Sequence, residues 1–182
     1  MVIMDKGKTL TQKDNLVFQS HCMVAFIQEL ANANFLKSPS YEWVKFNDKD
    51  LKFFIRDQIG ILNQGTVLLF LYAMLVVPKE LIHSEYQVEF GELESWLKER
   101  ISDFESTYKN KQIKLNEVNL LDKIRNSVSH ATVVFHKNLK IEFVDNYGSS
   151  NTSFKLLMTD FPEFLQKLQN IFKRYFEQFR SK

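Results

Sequence analysis

The chain has 182 residues, 45% of them hydrophobic and 25% charged, with a net charge of +2. That is enough to bury one core and short for two typical domains, so a single domain over residues 1–182 is expected. The lone cysteine, Cys22, excludes an intramolecular disulfide framework and a multi-cysteine zinc site and fits a reducing, cytoplasmic setting, while so small a net charge is no argument by itself for a polyanionic partner.

Five Gly and three Pro leave little punctuation, so long, mostly helical elements are expected, with the seventeen Phe supplying much of the core. Residues 1–15 are polar and lack the apolar centre of a secretion signal. From Asp14 to Leu36, Leu16, Phe18, Met23, Phe26, Ile27, Leu30 and Ala33 recur at helical intervals and predict a first amphipathic helix that ends before Pro39. Cys22 falls among these apolar residues and reads as a small core side chain. Asp48 is a suitable N-cap for a second, longer helix running to Val77 and closed by Pro78, with Gly60 and Gly65 as weak points inside it. Its apolar run from Val67 to Val77 is well short of the ~20 residues that cross a bilayer. A helix apolar all round is instead expected to be buried, in the core or against a second subunit.

A third helix is predicted from Glu92 to Tyr108, with Leu93, Trp96, Leu97, Ile101 and Phe104 on one face, and the basic segment 109–114 as a loop. A fourth runs from Asn116 to Ala131. The period then changes: Thr132 to Phe135, Leu139 to Asp145 and Ser153 to Met158 read as short strands, with Ile141 and Phe143 alternating against charges and a turn at Tyr147-Gly-Ser-Ser-Asn151. Asp160 and Pro162 open a C-terminal helix, with Phe164, Leu165, Leu168, Ile171, Phe172, Tyr175 and Phe179 as its apolar face. Lys109, Lys111 and Lys114 form one basic cluster, and Lys173, Arg174, Arg180 and Lys182 another; by charge alone both read as solvated surface.

The chemistry concentrates in Asp122-Lys-Ile-Arg-Asn-Ser-Val-Ser-His-Ala131, within the fourth helix. Rotating about 100° per residue from Ile124 places Leu120, Leu121, Val128 and Ala131 within about 60°, as a core stripe. Arg125, Ser129, Asp122, Asn126 and His130 follow at about 100°, 140°, 160°, 200° and 240°, one polar arc turned away from that stripe. Asn126 and His130 are one turn apart, as are Arg125 and Ser129, so these side chains are neighbours on the helix surface. The plain reading is the wet side of an amphipathic helix.

Other chemistries find less support. His83-Ser-Glu85 imitates half of a zinc deaminase signature without its paired cysteines, and there is no Walker loop or dinucleotide-binding glycine loop. His21 and His136 lack neighbours at metal-ligand spacing and read as structural or surface residues.

Arg125-Asn126-Ser-Val-Ser-His130 resembles the Arg-x4-His motif of HEPN domains (higher eukaryotes and prokaryotes nucleotide-binding), including the polar residue that follows the Arg. The surroundings are similar too: two long helices before the motif, the motif near the end of a later helix, and a final helix. The resemblance implies a mainly α fold, a HEPN-like helical bundle, here with a small antiparallel β excursion between about Thr132 and Met158 that departs from the plainest bundle. It is similar to prokaryotic subgroups found near mobile elements and defence genes.

What the resemblance implies is a metal-independent endoribonuclease with no cofactor, acting as a homodimer that brings two motifs together. Arg125 and His130 would be catalytic and Asn126, Asp122 and Ser129 supporting, Asp122 by pairing with Arg125. The expected partners are RNA, a second copy of the chain and an antitoxin protein, with no membrane; the setting is a toxin or phage-defence effector. The alternative is a catalytically silent scaffold that binds RNA or a protein.

Overall fold

The computed structural model describes residues 11–76 and 82–178, Lys49 by its backbone alone. Thr11 starts helix α1 (Gln12–Asn32): its hydroxyl accepts from the Asp14 N–H while the Asp14 carboxylate accepts from the Thr11 N–H, so both exposed backbone donors are satisfied. A 3-10 turn (Phe35–Lys37) and the short α2 (Pro39–Trp43), capped by Ser38, lead to α3. Helix α3 (Lys49–Phe54) is capped by Asp48 and runs on as a π turn (Ile55–Ile59); α4 (Gln64–Leu71) likewise runs on into the π turn Tyr72–Val76.

The single long helix expected from Asp48 is therefore two. Gly60 takes φ +69°, a left-handed value open to glycine, and Asn63 caps the next helix by accepting from the Thr66 N–H. Asp50–Ile59 and Gln64–Val76 meet at 89°, and no single helix among the described residues is long and apolar enough to cross a membrane. The expected closure at Val77 and Pro78, and the apolar contribution of Phe179, lie outside the described residues.

Helix α5 (Gln87–Arg100) begins earlier than expected and stops at Ile101, whose ψ of 154° is extended. The stretch that follows is strand rather than helix: β1 (Ser102–Tyr108) turns through Lys109 and Asn110, both with positive φ, into β2 (Lys111–Gln112). The sequence permits both readings, because Leu97, Ile101 and Phe104 keep helical spacing while Phe104, Ser106 and Tyr108 alternate. Pairing with a distant strand decides between them. After a 3-10 turn (Leu115–Glu117) come α6 (Leu120–Ser129), β3 (Val133–Phe135), β4 (Lys140–Tyr147), β5 (Ser150–Leu157) and α7 (Phe161–Glu177).

The strands form one antiparallel sheet in the order β2-β1-β5-β4-β3, so the expected three-stranded excursion is widened by two strands from before the motif helix. At the β1 bulge between Ser102 and Glu105, Asp103 has φ +52° and its carboxylate meets Lys140 and Lys155 at 3.3 Å each. Lys155 first, and then Lys140, hold that carboxyl below the usual carboxylate range.

One continuous cluster of buried side chains joins sheet and helices. Ile141, Phe143, Phe154 and Leu156 supply the sheet's inner face; Leu120, Ile124, Leu97, Met74, Leu75, Phe164 and Leu168 come from the helices. Trp96 donates its indole N–H to Glu163 at 2.7 Å and stacks on Phe164, locking α5 to α7. Along α1, Val17 and Val24 are buried and Phe18 packs edge-on against Phe176 of α7, whereas Leu16, Met23 and Phe26 remain more than half exposed. The α4 segment is likewise not buried all round, since Leu69 and Tyr72 are exposed.

Cys22 is at the surface rather than in the core, and what desolvation it has raises its thiol pKa, the wrong direction for a nucleophile. His21 is structural as expected: it lies against Phe172 and Phe176, and burial pushes its imidazole below the ordinary value.

Helix α6 ends in a Schellman motif in which the left-handed residue is not glycine. The Thr132 N–H reaches the Ser127 carbonyl at 2.8 Å and the Ala131 N–H the Val128 carbonyl at 3.3 Å, with Ala131 at φ +55°. Holding a Cβ in that region costs about 1 kcal/mol. Ala131→Gly is accordingly expected to stabilise the fold by about 0.5–1 kcal/mol, read as a higher denaturation midpoint at unchanged slope.

Candidate functional site

Helix α6 is held at both ends and in the middle. At its N-terminus the Asn119 side chain accepts from the Asp122 N–H at 3.1 Å, and Glu94, reaching over from α5, accepts from the Leu120 and Leu121 N–H groups at 2.7 and 3.0 Å. A carboxylate on two free helix donors, where the helix dipole is positive, is a strong cap. Its oxygen Oε1 also lies 3.4 Å from Lys98 Nζ. The apolar stripe of α6 is Leu120, Leu121 and Ile124, with Ser127 buried beside it and its hydroxyl donated to the Lys123 carbonyl.

The polar arc is only partly turned to solvent, which corrects the expectation from the helix wheel. Asn126 faces β4, where its amide donates to Asp145 Oδ2 at 3.2 Å; Lys123 donates to the same oxygen at 2.8 Å. Asn126 Oδ1 in turn accepts from Arg125 Nη2 at 3.2 Å. The result is a relay of oriented groups, from Arg125 through Asn126 to a carboxylate that is 4% exposed and balanced by Lys123. Asp122, in the first turn of α6, and Arg125 are half-buried.

His130 is the C-cap (φ −100°, ψ 6°), its N–H on the Asn126 carbonyl at 2.9 Å; it and Ser129 are exposed. The structure thus places Arg125, Asn126 and His130 within the C-terminal half of α6 and its cap, with His130 exposed and the direction of the Arg125 guanidinium set by Asn126. An exposed imidazole can serve as a proton donor or acceptor, and an oriented guanidinium as a fixed cation.

The remaining histidine readings stand apart from this cluster. His136 Nε2 is 2.6 Å from Glu142 Oε2 across the β3–β4 pair, and His83 packs on Phe90.

Asp145 and Lys123 are the site residues that sequence reasoning missed. The alternation that puts Ile141 and Phe143 inside puts Asp145 inside as well, and a carboxylate at an inward strand position calls for a cationic partner. Which cation, and from which helix, was not written in the strand.

A mainly α fold with an Arg-x4-His motif at the end of a late helix defines a HEPN-type domain. The chain matches the HEPN pEK499 p136 family over residues 4–179, nearly its whole length, and it belongs to that family. No curated protein and no solved structure matches it.

Asp145→Val removes the acceptor shared by Lys123 and Asn126, and is expected to destabilise the fold by about 3 kcal/mol, since it strands a partly buried cation. Asp145→Asn retains an acceptor and is expected to lose less. Chemical denaturation of the two variants checks both, and equal loss would show that the negative charge, absent from both, rather than the acceptor matters at this position.

Proposed function

We propose that the protein is a metal-independent endoribonuclease that works as a homodimer. The observation that carries this reading is the Arg125–Asn126 pair tied to the sheet through Asp145, with an exposed His130 capping the same helix, in a chain of a HEPN family. In this reading His130 of one protomer takes the proton from a ribose 2′-hydroxyl, the 2′-oxygen attacks phosphorus, and the bond to the 5′-oxygen breaks. A second imidazole, from the partner's motif, returns a proton to that leaving oxygen. Arg125 stabilises the charge that builds on the non-bridging oxygens, and Asn126 holds the guanidinium in place. Asp122 and Ser129 support the arrangement from the same face of the helix. The products are a 2′,3′-cyclic phosphate and a free 5′-hydroxyl.

The dimer reading rests on exposed apolar side chains beside the motif helix. The Tyr72–Val76 turn packs against both α1 and α6, and Tyr72 of that turn, Leu69 on α4, and Leu16, Met23 and Phe26 on α1 are half-exposed or more. Covering such a surface with a second copy would shelter the His130 side of α6, and a stable interface needs about 800 Å² from each partner. A nuclease of this kind, held by an antitoxin protein, is suited to a toxin or phage-defence role.

Purified protein incubated with mixed RNA in excess chelator is expected to cut it and leave cyclic phosphate ends. His130→Ala should abolish cutting with little change in thermal stability, because His130 is exposed and its loss opens no cavity, and Arg125→Ala should abolish cutting too. A requirement for divalent ions would exclude the mechanism; RNA or protein binding lost in His130→Ala without any cutting by the parent would favour a silent scaffold instead. Light scattering is expected to give a dimer, and Leu69→Arg, at an exposed position, a folded monomer with no activity. A Leu69→Arg variant that stays dimeric would move the interface elsewhere.

A further inference from the structure

The tip of the sheet carries two exposed tyrosines and a basic turn on the same face as the motif. Tyr147 ends β4 and is 79% exposed; Tyr108 ends β1 and is 50% exposed. Both pair with Ser150, from opposite sides, and Tyr108 also pairs with Lys111. Cross-strand partners point to one face, so Tyr147, Ser150, Tyr108 and Lys111 form a single row. With two strand spacings between them, the tyrosine backbones are about 10 Å apart.

The rows below give this face its direction. Next along the strands comes the buried polar row of Asp145, Thr152 and Ser106, in which the two hydroxyls bond at 2.9 Å, and beyond it the apolar Phe143–Phe154 pair. Asp145 is the residue that holds Asn126, so Tyr147 is two residues further along the same face from the motif's anchor. The chain leaving His130 runs back along β4, with Val133 opposite Phe143 and the Thr132 hydroxyl bonded to the Val144 carbonyl. The backbone just after His130 is thereby placed beside the Val144–Asp145 end of the strand.

The tip is also fixed in shape. The Lys109 N–H donates to the Ser149 carbonyl at 3.0 Å, stitching the β1–β2 turn to the β4–β5 turn, and Lys109 Nζ lies 5.4 Å from the centre of the Tyr108 ring. Lys109 and Lys111 are exposed, and the nearest inward carboxylate, Asp145, is already balanced by Lys123.

Large exposed rings have no role in the core, and here they stand beside two exposed lysines at the end of the sheet beyond Asp145. We infer that the Tyr147–Tyr108 row with Lys109 and Lys111 is a stacking platform for unpaired RNA, taking bases on the two rings and phosphates on the two lysines and leading the strand to His130. This rests on the ribonuclease reading of the α6 cluster. It selects single-stranded over duplex RNA, because bases inside a helix have no free face for the rings.

The test uses the full chain carrying His130→Ala, so that the probe is not cut, and fluorescence anisotropy of a labelled oligouridylate of about ten nucleotides against a duplex of the same length. Tyr108→Ala and Tyr147→Ala are each expected to weaken binding of the single strand by roughly ten-fold, and Tyr→Phe at either position to leave it unchanged. Lys109→Glu with Lys111→Glu should lower the salt dependence by roughly 0.7 per lost phosphate contact. In the chain with His130 intact, the tyrosine changes should raise KM for long single strands and leave cleavage of a dinucleotide, too short to reach the tip, as it was.

Unchanged affinity in the double tyrosine variant, or duplex bound as tightly as single strand, overturns the platform while the ribonuclease reading stands or falls on His130. Loss of binding in the tyrosine variants of a protein that never cuts supports the platform and removes the catalysis.

Discussion

The arrangement turns on one carboxylate oxygen. Asp145 Oδ2 receives both the Lys123 ammonium and the Asn126 amide, so two successive turns of α6 are fastened to a single point on β4. Buried at 4% exposure, Asp145 needs compensation for its lost hydration, and Lys123 supplies it from a side chain that is itself only 22% exposed. Because the pair is satisfied, the helix cannot rotate on the sheet without stranding a charge. That restriction fixes where Arg125 and His130 emerge.

Both ends of α6 reinforce it. Glu94 draws the first turn toward α5 through two charge-assisted hydrogen bonds, and the Schellman turn at Ala131 reverses the chain into β3 within two residues. His130 sits at the hinge between these two elements, with its backbone committed and its ring at the surface. The left-handed alanine is a local strain accepted at the point where the motif ends. It holds the chain direction that lets Thr132 bond to β4.

The sheet, which sets this chain apart from a plain helical bundle, thus has two tasks. Its inner face moves from aromatic packing at Phe143 and Phe154, through the polar row that anchors α6, to tyrosines that no core covers. A surface graded in this way links the interior to the site without any separate loop. The half-exposed residues of α1 and α4 are apolar, so the proposed contact between protomers and the proposed path for RNA use different side chains.

Local pattern settled much of this from the chain alone. The 3.6-residue period of α6 and α7, the alternation of β4, the cap at Asp48, the place of Pro162 in the first turn of α7, and the spacing of Arg125 and His130 are all properties of neighbours in sequence, and each was legible there. What required the tertiary structure is whatever depends on a partner far along the chain. Ser102–Tyr108 fits a helix or a strand by periodicity, and only pairing with β5 makes it a strand; Cys22, Leu16 and Met23 fit a core face, and only the side from which α4 and α7 approach leaves them outside. The same holds for the site. The residues of the motif follow from sequence, but Asp145 joins them from nineteen positions away, and a burial that couples two elements is decided by their contact, not by the period of either one.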